Sequence, residues 1–371
     1  MQTYVLEATR NTGEGVRTYS FESADGVFSK TSLHLPAVLL ADRVDVSEAE
    51  SLCVAHGNYG VLPVMLADEA DEADVMMTDP SARACRLAAM NAELNDVSVD
   101  VVIDDRMVEE DADAGFYVPR PYDSVAYAWS VLVDLVRGVK DGGLVCFAGE
   151  KDTGVNRLVS RLEPYGSVRR IGEEDSAVAY AFTKEDDVDA SVDVSTSFTT
   201  SWSGESFTFH AADGLFSKDG LDRATRSLGD SVSVGEDDEV LDVACGYGAL
   251  GTLFAARDGA SVTCSDDDIR AARHAVRSLD EKGVDGRVEV CDCATVFDDG
   301  VFDVAVCNPP THAGHGVLEE LFADVRRCLV TGGSFYVVVN EGIGVRSLLA
   351  SSFDTVGVVD RSDGFVVFEA S

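Results

Sequence analysis

Asp242-Val243-Ala244-Cys245-Gly246-Tyr247-Gly248 follows a short apolar stretch, Glu239–Val243, and precedes residues 250–257, which are spaced as a helix. A strand that ends in a Gly-bearing turn and runs into a helix is the opening unit of an open α/β sheet. Glycine in such a turn lets a ligand approach the backbone, and sheets of this kind bind ligands at the carboxyl ends of their strands. Working outward, a strand is predicted at 261–264, a helix at Ile269–Lys282 and a strand at 288–291. A further strand at 301–307 ends in Asn308-Pro309-Pro310, and a helix at 317–329, a strand at 334–339 and a hairpin of 355–360 with 364–369 follow. The predicted sheet is parallel except near its end.

The same pattern occurs twice. Residues 24–30 read A-D-G-V-F-S-K and residues 212–218 read A-D-G-L-F-S-K. The match extends from Leu52–Gly57 to Leu241–Gly246, from Met77–Asp79 to Cys264–Asp266, from Tyr122–Ala126 to Phe302–Val306, and from Asp141–Gly143 to Thr331–Gly333. Two tandem copies of one fold are expected, 1–190 and 191–371, with an acidic, polar linker over 184–200. In that alignment Cys53 replaces Asp242, Tyr59 replaces Gly248 and Ala128-Trp129-Ser130 replaces Asn-Pro-Pro, so the first copy is read as degenerate and non-catalytic.

Three elements of the second copy carry chemistry. The Gly turn is the first. Asp266 is the second: about 20 residues on, at the end of the next strand, a carboxylate is placed to accept hydrogen bonds from ribose hydroxyls. The turn has no third glycine and no phosphate-binding lysine, which argues against a dinucleotide or a triphosphate. Asn308-Pro309-Pro310 is the third. Two prolines stiffen the chain, so that the Asn308 side chain and the Pro309 carbonyl, both acceptors, can face one point. Such a pair can hold the two hydrogens of a planar amino group with its lone pair turned toward a methyl donor.

On these residues the second copy resembles class I, Rossmann-like S-adenosylmethionine-dependent methyltransferases of the small methyltransferase group, which carry an N-P-P-[aromatic] signature. Asn308-Pro309-Pro310-Thr311-His312-Ala313-Gly314, the upstream Phe216-Ser217-Lys218-Asp219-Gly220-Leu221-Asp222 and the duplicated layout are similar to the 16S ribosomal RNA guanine-N2 methyltransferases, whose bacterial two-domain forms carry a decayed N-terminal copy. The resemblance implies that Asp242, Gly246 and Gly248 line the methionine part of S-adenosylmethionine, that Asp266 binds its ribose and Asp292 its adenine amino group. It implies that Asn308 and Pro309 hold the guanine N2 at the catalytic centre, where Asn308 also borders the cofactor, and that Thr311, His312 and Lys218 lie on the substrate side. Ribosomal RNA or a small-subunit particle would be the partner. Ala244 departs from the family's first glycine, and Thr311 stands where an aromatic is usual. Rival readings are methylation of a protein glutamine, and a non-catalytic RNA-binding assembly protein.

Composition sets the surroundings. No apolar run is long enough to span a bilayer and no basic-then-apolar leader opens the chain, so a cytoplasmic protein without a membrane partner is expected; monomer and dimer are both compatible with it. Nine cysteines without paired C-x2-C spacing read as small buried hydrophobes rather than metal ligands, and no metal is expected. The chain has 67 acidic and 29 basic residues, 36 and 16 of them in 1–190 and 31 and 13 in 191–371. Charge of one sign this evenly spread over a chain 46% hydrophobic points to a surface adapted to molar salt, as in halophiles. Folding should therefore depend on ionic strength, because self-repulsion reaches about 14 Å at ~0.05 M salt but only about 3 Å in molar KCl. Circular dichroism across a KCl series checks this, and a full native signal at ~0.05 M would refute the halophilic reading.

Overall fold

Short apolar strands followed by amphipathic helices bury both faces of a sheet only when helices cover each side, and this chain builds that arrangement twice. A computed structural model describes residues 3–12, 15–107, 111–185, 188, 192 and 194–371, and the chain divides into two compact units, 2–194 and 195–371. The first unit runs β1 (Thr3–Thr12), β2 (Gly15–Ala24), α1 (Leu35–Arg43), β3 (Ser51–Ala55), α2 (Val61–Glu69), β4 (Asp74–Asp79), α3 (Ala82–Leu94), β5 (Asp100–Ile103), β6 (Ala112–Tyr117), α4 (Val125–Gly138), β7 (Val139–Glu150), α5 (Val155–Leu162), β8 (Gly166–Glu174) and β9 (Ala177–Lys184). The second runs β10 (Ser195–Trp202), β11 (Glu205–Ala212), α6 (Arg223–Ser231), β12 (Glu239–Val243), α7 (Ala249–Asp258), β13 (Ser261–Asp266), α8 (Ile269–Lys282), β14 (Arg287–Val290), β15 (Phe302–Cys307), α9 (His315–Cys328), β16 (Leu329–Asn340), α10 (Arg346–Ser352), β17 (Val356–Ser362) and β18 (Phe365–Ala370).

The two seven-stranded sheets have the same order, β5-β4-β3-β6-β7-β9-β8 and β14-β13-β12-β15-β16-β18-β17. In each, five strands are parallel, the sixth in the order runs antiparallel to them, and the seventh pairs antiparallel with the sixth. Each sheet has a core on both faces. In the second unit one gathers around Leu241, Phe322 and Phe335, the other around Val240, Leu253 and Phe254. Each such side chain contributes about 1.5–3 kcal/mol on full burial.

Part of the expected linker is ordered structure. Lys184 closes β9, residues 195–200 belong to β10, and the expected boundary at 190/191 lies outside the described residues. The Ser/Thr-rich stretch reads as polar because only one face of the β10–β11 ribbon is covered. Trp202 is buried there, and its indole N–H donates to Asp230 Oδ1 at 2.7 Å. Equivalent helices fasten both ribbons: Ser278 Oγ of α8 accepts from His210 N at 3.2 Å, and Asn91 Oδ1 of α3 accepts from Glu22 N at 2.7 Å.

Strand register corrects the alignment of the two copies. Ser51 pairs with Asp74 as Glu239 pairs with Ser261, and Leu52 pairs with Ala114 as Val240 pairs with Val304. Val54, not Cys53, therefore stands at the Asp242 position. Tyr59 matches Tyr247, and Gly60 retains the Gly248 position. Val118-Pro119-Arg120, at the end of β6, replaces Asn308-Pro309-Pro310; Ala128-Trp129-Ser130 lies inside α4. The pairing of Tyr122–Ala126 with Phe302–Val306 fails for the same reason, because β6 is Ala-Asp-Ala-Gly-Phe-Tyr and too polar to stand out as a strand. The matches of 24–30 with 212–218 and of 141–143 with 331–333 agree with the register; Ser29 and Ser217 share a positive φ, as do Gly142 and Gly332.

Arg120 changes the first unit's strand-end cleft. Its guanidinium donates to Asp79 Oδ2 at 2.6 Å, and Asp79 is fully buried. Burial pushes the Asp79 carboxyl up, but the Arg120 charge and the hydrogen bonds from Ser81 and Arg120 outweigh it and hold it below the ordinary range. What remains beside it is a cavity of about 30 Å³ lined by residues that include Phe28, His34, Asn58 and Arg120. Removing one partner of a buried pair costs about 3–5 kcal/mol. Arg120→Met should therefore lower the first unfolding transition of the full chain by that order, and Asp79→Asn added to it should restore much of the loss; denaturant melts in molar KCl measure both.

Candidate functional site

The strand order reverses between β12 and β15, and the loops after these two strands part there, opening a cleft at the carboxyl ends of the sheet. The Gly turn forms one side. Ala244, Gly246 and Gly248 all have positive φ, at 55°, 56° and 77°. The two glycines do different work. A Cβ on Gly248 would come within 2.9 Å of the Ala275 Cβ, so this residue permits α7 to pack on α8. A Cβ on Gly246 would meet nothing within 4 Å, so this position faces open space. The first unit keeps the packing glycine as Gly60 and has Asn58 at the open one. Tyr247, between them, packs its ring edge-on to Phe198 and tilted against Phe209, both at 5.5 Å, and its hydroxyl donates to the Gly220 carbonyl at 3.4 Å.

Asp266 ties neighbouring strand ends. Its Oδ2 accepts from Gly246 N at 2.8 Å and its Oδ1 from Asp268 N at 3.0 Å. Cys291 N donates to the Asp266 carbonyl at 3.0 Å, which brings buried Asp292 to the next strand end. Asp242 is directed into the fold: its Oδ2 accepts from Gly251 N, in the first turn of α7, at 2.9 Å. Burial pushes the carboxyls of Asp242 and Asp266 up to about 7.

Asn308-Pro309-Pro310 forms the other side of the cleft. Asn308 Nδ2 donates to Asp222 Oδ2 at 3.0 Å and to Thr225 Oγ1 at 2.9 Å. A carboxylate only accepts, so the amide nitrogen must face Asp222 and the amide oxygen must face away from it. Asp222 is itself held as the N-cap of α6, accepting from Thr225 N at 2.9 Å. The Pro309 carbonyl accepts from Thr311 N at 2.8 Å, which leaves one lone pair for a ligand. His312 is exposed and Thr311 partly so. Lys218 lies 3.4 Å from Asp219 and 3.7 Å from Asp213, an ion-paired member of its own loop.

The cleft thus brings together Gly246, Asp266, Asn308 and Pro309, with Asp292 at the adjoining strand end. Gly248 and Asp242 stand behind it as packing and bracing groups. Asp222, Thr225 and Tyr247 are additional residues that position it. A capping signature at Asp222, ahead of the helical run that starts at Arg223, was the available signal for the first two. Burial pushes the Cys291 thiol up to about 12 and raises that of Cys307 well above its usual value, so neither is a nucleophile at neutral pH. Among the described residues no group of three or more His, Cys, Asp or Glu is placed to hold a metal ion, and no helix is long and apolar enough to cross a membrane.

The sequence model of the methyltransferase small domain matches residues 18–118 and 206–369. The ribosomal RNA small subunit methyltransferase C of Haemophilus influenzae (strain Rd) is 26% identical over 261 residues, 66% of this chain and 78% of that protein. Its namesake from Actinobacillus pleuropneumoniae serotype 7 is 27% identical over 248 residues, 64% and 74% of the two chains. Among solved structures, the T. thermophilus 16S rRNA N2 methyltransferase (RsmC), in complex with AdoMet and guanosine, superposes with a TM-score of 0.79 at 21% identity, covering 95% of each chain. The fold of both units is therefore that of this enzyme.

The raised Asp242 carboxyl has a measurable consequence. Its folded value of about 7 exceeds the ordinary 3.8, so the stability it contributes is full below pH ~4 and is lost as pH rises through about 7. Asp242→Asn keeps an acceptor for Gly251 N and removes the charge. Its stability relative to wild type should rise by up to ~1.4 kcal/mol per pH unit between about pH 4 and 7 and then level off. Thermal melts of the two proteins in KCl at a series of pH values test this, and a constant difference would refute it.

Proposed function

We propose that this chain, which belongs to the methyltransferase small domain family, transfers a methyl group from S-adenosylmethionine to the exocyclic amino nitrogen of a guanine in small-subunit ribosomal RNA. The observation that carries the reading is the fixed orientation of Asn308: its Nδ2 is engaged by Asp222 and Thr225, and its Oδ1 is left as an acceptor beside the Pro309 carbonyl. The relatives named for small-subunit RNA methylation and the solved relative with AdoMet and guanosine support the choice of nucleophile and donor.

The residues present fit S-adenosylmethionine. Gly246 opens on space that a Cβ would enter, and Asp266 offers lone pairs beyond the two backbone bonds it accepts. In this reading Asp266 holds the ribose hydroxyls, Asp292 the adenine amino group, and the Gly turn the methionine part. The cofactor supplies an electrophilic methyl carbon. The protein's task is alignment, because holding reactants at near-attack distance removes much of the barrier. Asn308 Oδ1 and the second lone pair of the Pro309 carbonyl accept the two amino hydrogens of the base. Those bonds strengthen as the nitrogen gains positive charge, which favours the transition state over the ground state. The base must leave its stack to reach them. The first unit, with Arg120 on Asp79 and Val118 at the Asn308 position, is assigned no chemistry.

Asn308→Ala removes one preorganised acceptor and should lower the single-turnover rate by about 10²–10³-fold. Calorimetry in molar KCl should find one S-adenosylmethionine site per chain in the wild type and in this variant, with similar affinity. Single-turnover methylation of small-subunit RNA measures the rate, and mapping of the product locates the methyl group. Wild-type rates in the variant would overturn the role of Asn308. Methylation of a protein glutamine, with none of RNA, would overturn the choice of substrate.

A further inference from the structure

The loop of residues 212–222 crosses the cleft from edge to edge. At one end a Cβ on Gly214 would lie 3.3 Å from Arg270 Nη1, on the first turn of the helix that follows Asp266. In the middle the Gly220 carbonyl accepts from the Tyr247 hydroxyl of the Gly turn. At the other end Asp222 holds Asn308. A tight turn stiffens the span: Ser217 has φ 53°, its hydroxyl donates to the Gly220 carbonyl at 2.7 Å, and Gly220 N donates back to the Ser217 carbonyl at 3.3 Å.

Phe216 sits in this strap with its side chain 62% exposed, and among the described residues no ring packs on it. An exposed phenylalanine on a rigid loop that touches three walls of a cleft gains nothing for folding. An open hollow of about 550 Å³ lies along the same loop, lined by Leu215, Ser217, Lys218, Asp222 and neighbouring residues.

The first unit shows where a ring at this loop position reaches. Phe28 is the equivalent of Phe216, His34 of Asp222 and Tyr122 of His312. The Phe28 carbonyl accepts from Asn58 Nδ2 at 2.8 Å, and its ring lies edge-on to His34 at 4.9 Å and to Tyr122 at 5.8 Å. There the ring has met aromatic partners supplied by the protein. In the second unit those two positions are Asp222 and His312, and no ring fills the place beside Phe216.

We propose that Phe216 is the platform on which the acceptor base stacks, an inference that rests on the acceptor being an RNA guanine. Asn308 and Pro309 grip one edge of a planar base, and an edge alone leaves the plane free to swing. Thr311, next to the grip, offers no ring. Phe216, on the opposite loop, supplies a π-face, and stacking of a base on an aromatic side chain tolerates any sequence context.

The test uses the full chain in molar KCl with Phe216→Ala and Phe216→Trp. Cofactor affinity should be the same in all three proteins. The RNA concentration that half-saturates single-turnover methylation should rise roughly 5- to 150-fold in Phe216→Ala, the span set by base–aromatic stacking, and stay near wild type in Phe216→Trp. An independent reading uses 2-aminopurine riboside, a fluorescent purine with an amino group on C2, titrated in the presence of S-adenosylhomocysteine. Stacking quenches it, so wild type and Phe216→Trp should quench and Phe216→Ala should not. Wild-type half-saturation and quenching in Phe216→Ala would overturn the proposal while RNA methylation stands. Equal losses in both variants would also overturn it, since a fold defect would not distinguish a ring from a methyl. Failure of the wild type to methylate RNA would instead remove the function on which the proposal rests.

Discussion

Asp266 accepts a backbone N–H from Gly246 and another from Asp268, and so joins the turn after β12 to the turn after β13. The cleft depends on that junction. Gly246 keeps its left-handed conformation with its open side to the cleft, α8 starts where Asp268 caps it, and the Cys291 N–H on the Asp266 carbonyl brings the third strand end into line. Burial without a cationic partner leaves the Asp266 carboxyl raised.

The first unit keeps the same junction and gives it another ending. Asp79 accepts from Asn58 N at 2.9 Å and from Ser81 N at 3.0 Å, the counterparts of Gly246 and Asp268. Its third partner is Arg120. A guanidinium on a buried carboxylate supplies donors from within the chain, and the carboxyl falls below its ordinary range where that of Asp266, which has no such partner, rises above it. The scaffold is the same in both; one residue at the end of β6 decides whether the carboxylate is satisfied internally.

On the acceptor side, order comes from a chain of polar contacts rather than from packing. Asp222 caps α6 and orients Asn308, and Thr225 serves both groups. Because a carboxylate cannot donate, the amide of Asn308 has one orientation of low energy, and its oxygen is committed before any substrate arrives. Preorganisation of this kind is what makes a hydrogen bond useful in a transition state, since no reorientation is needed during reaction.

Local pattern determined much of this protein. Strand-turn-helix alternation, the duplicated heptapeptide, the Gly turn, Asp266 and Asn308-Pro309-Pro310 were legible because each is a short-range signal: burial imposes periodicity on a helix or strand, and proline and glycine fix turns within a few residues. What only the tertiary structure decided lies in contacts between distant segments. Sequence similarity could not register β6 against β15, because Ala112–Tyr117 carries too little apolar signal, and only pairing with β3 shows that Arg120 occupies the Pro310 position. Nor does the sequence reveal that Asp222 reaches Asn308 across 86 residues, that Gly248 serves packing while Gly246 faces the cleft, or that Lys218 is tied up in its own loop. The physical reason is the same in each case: a side chain's role follows from what stands opposite it, and that neighbour is chosen by the way the sheet assembles.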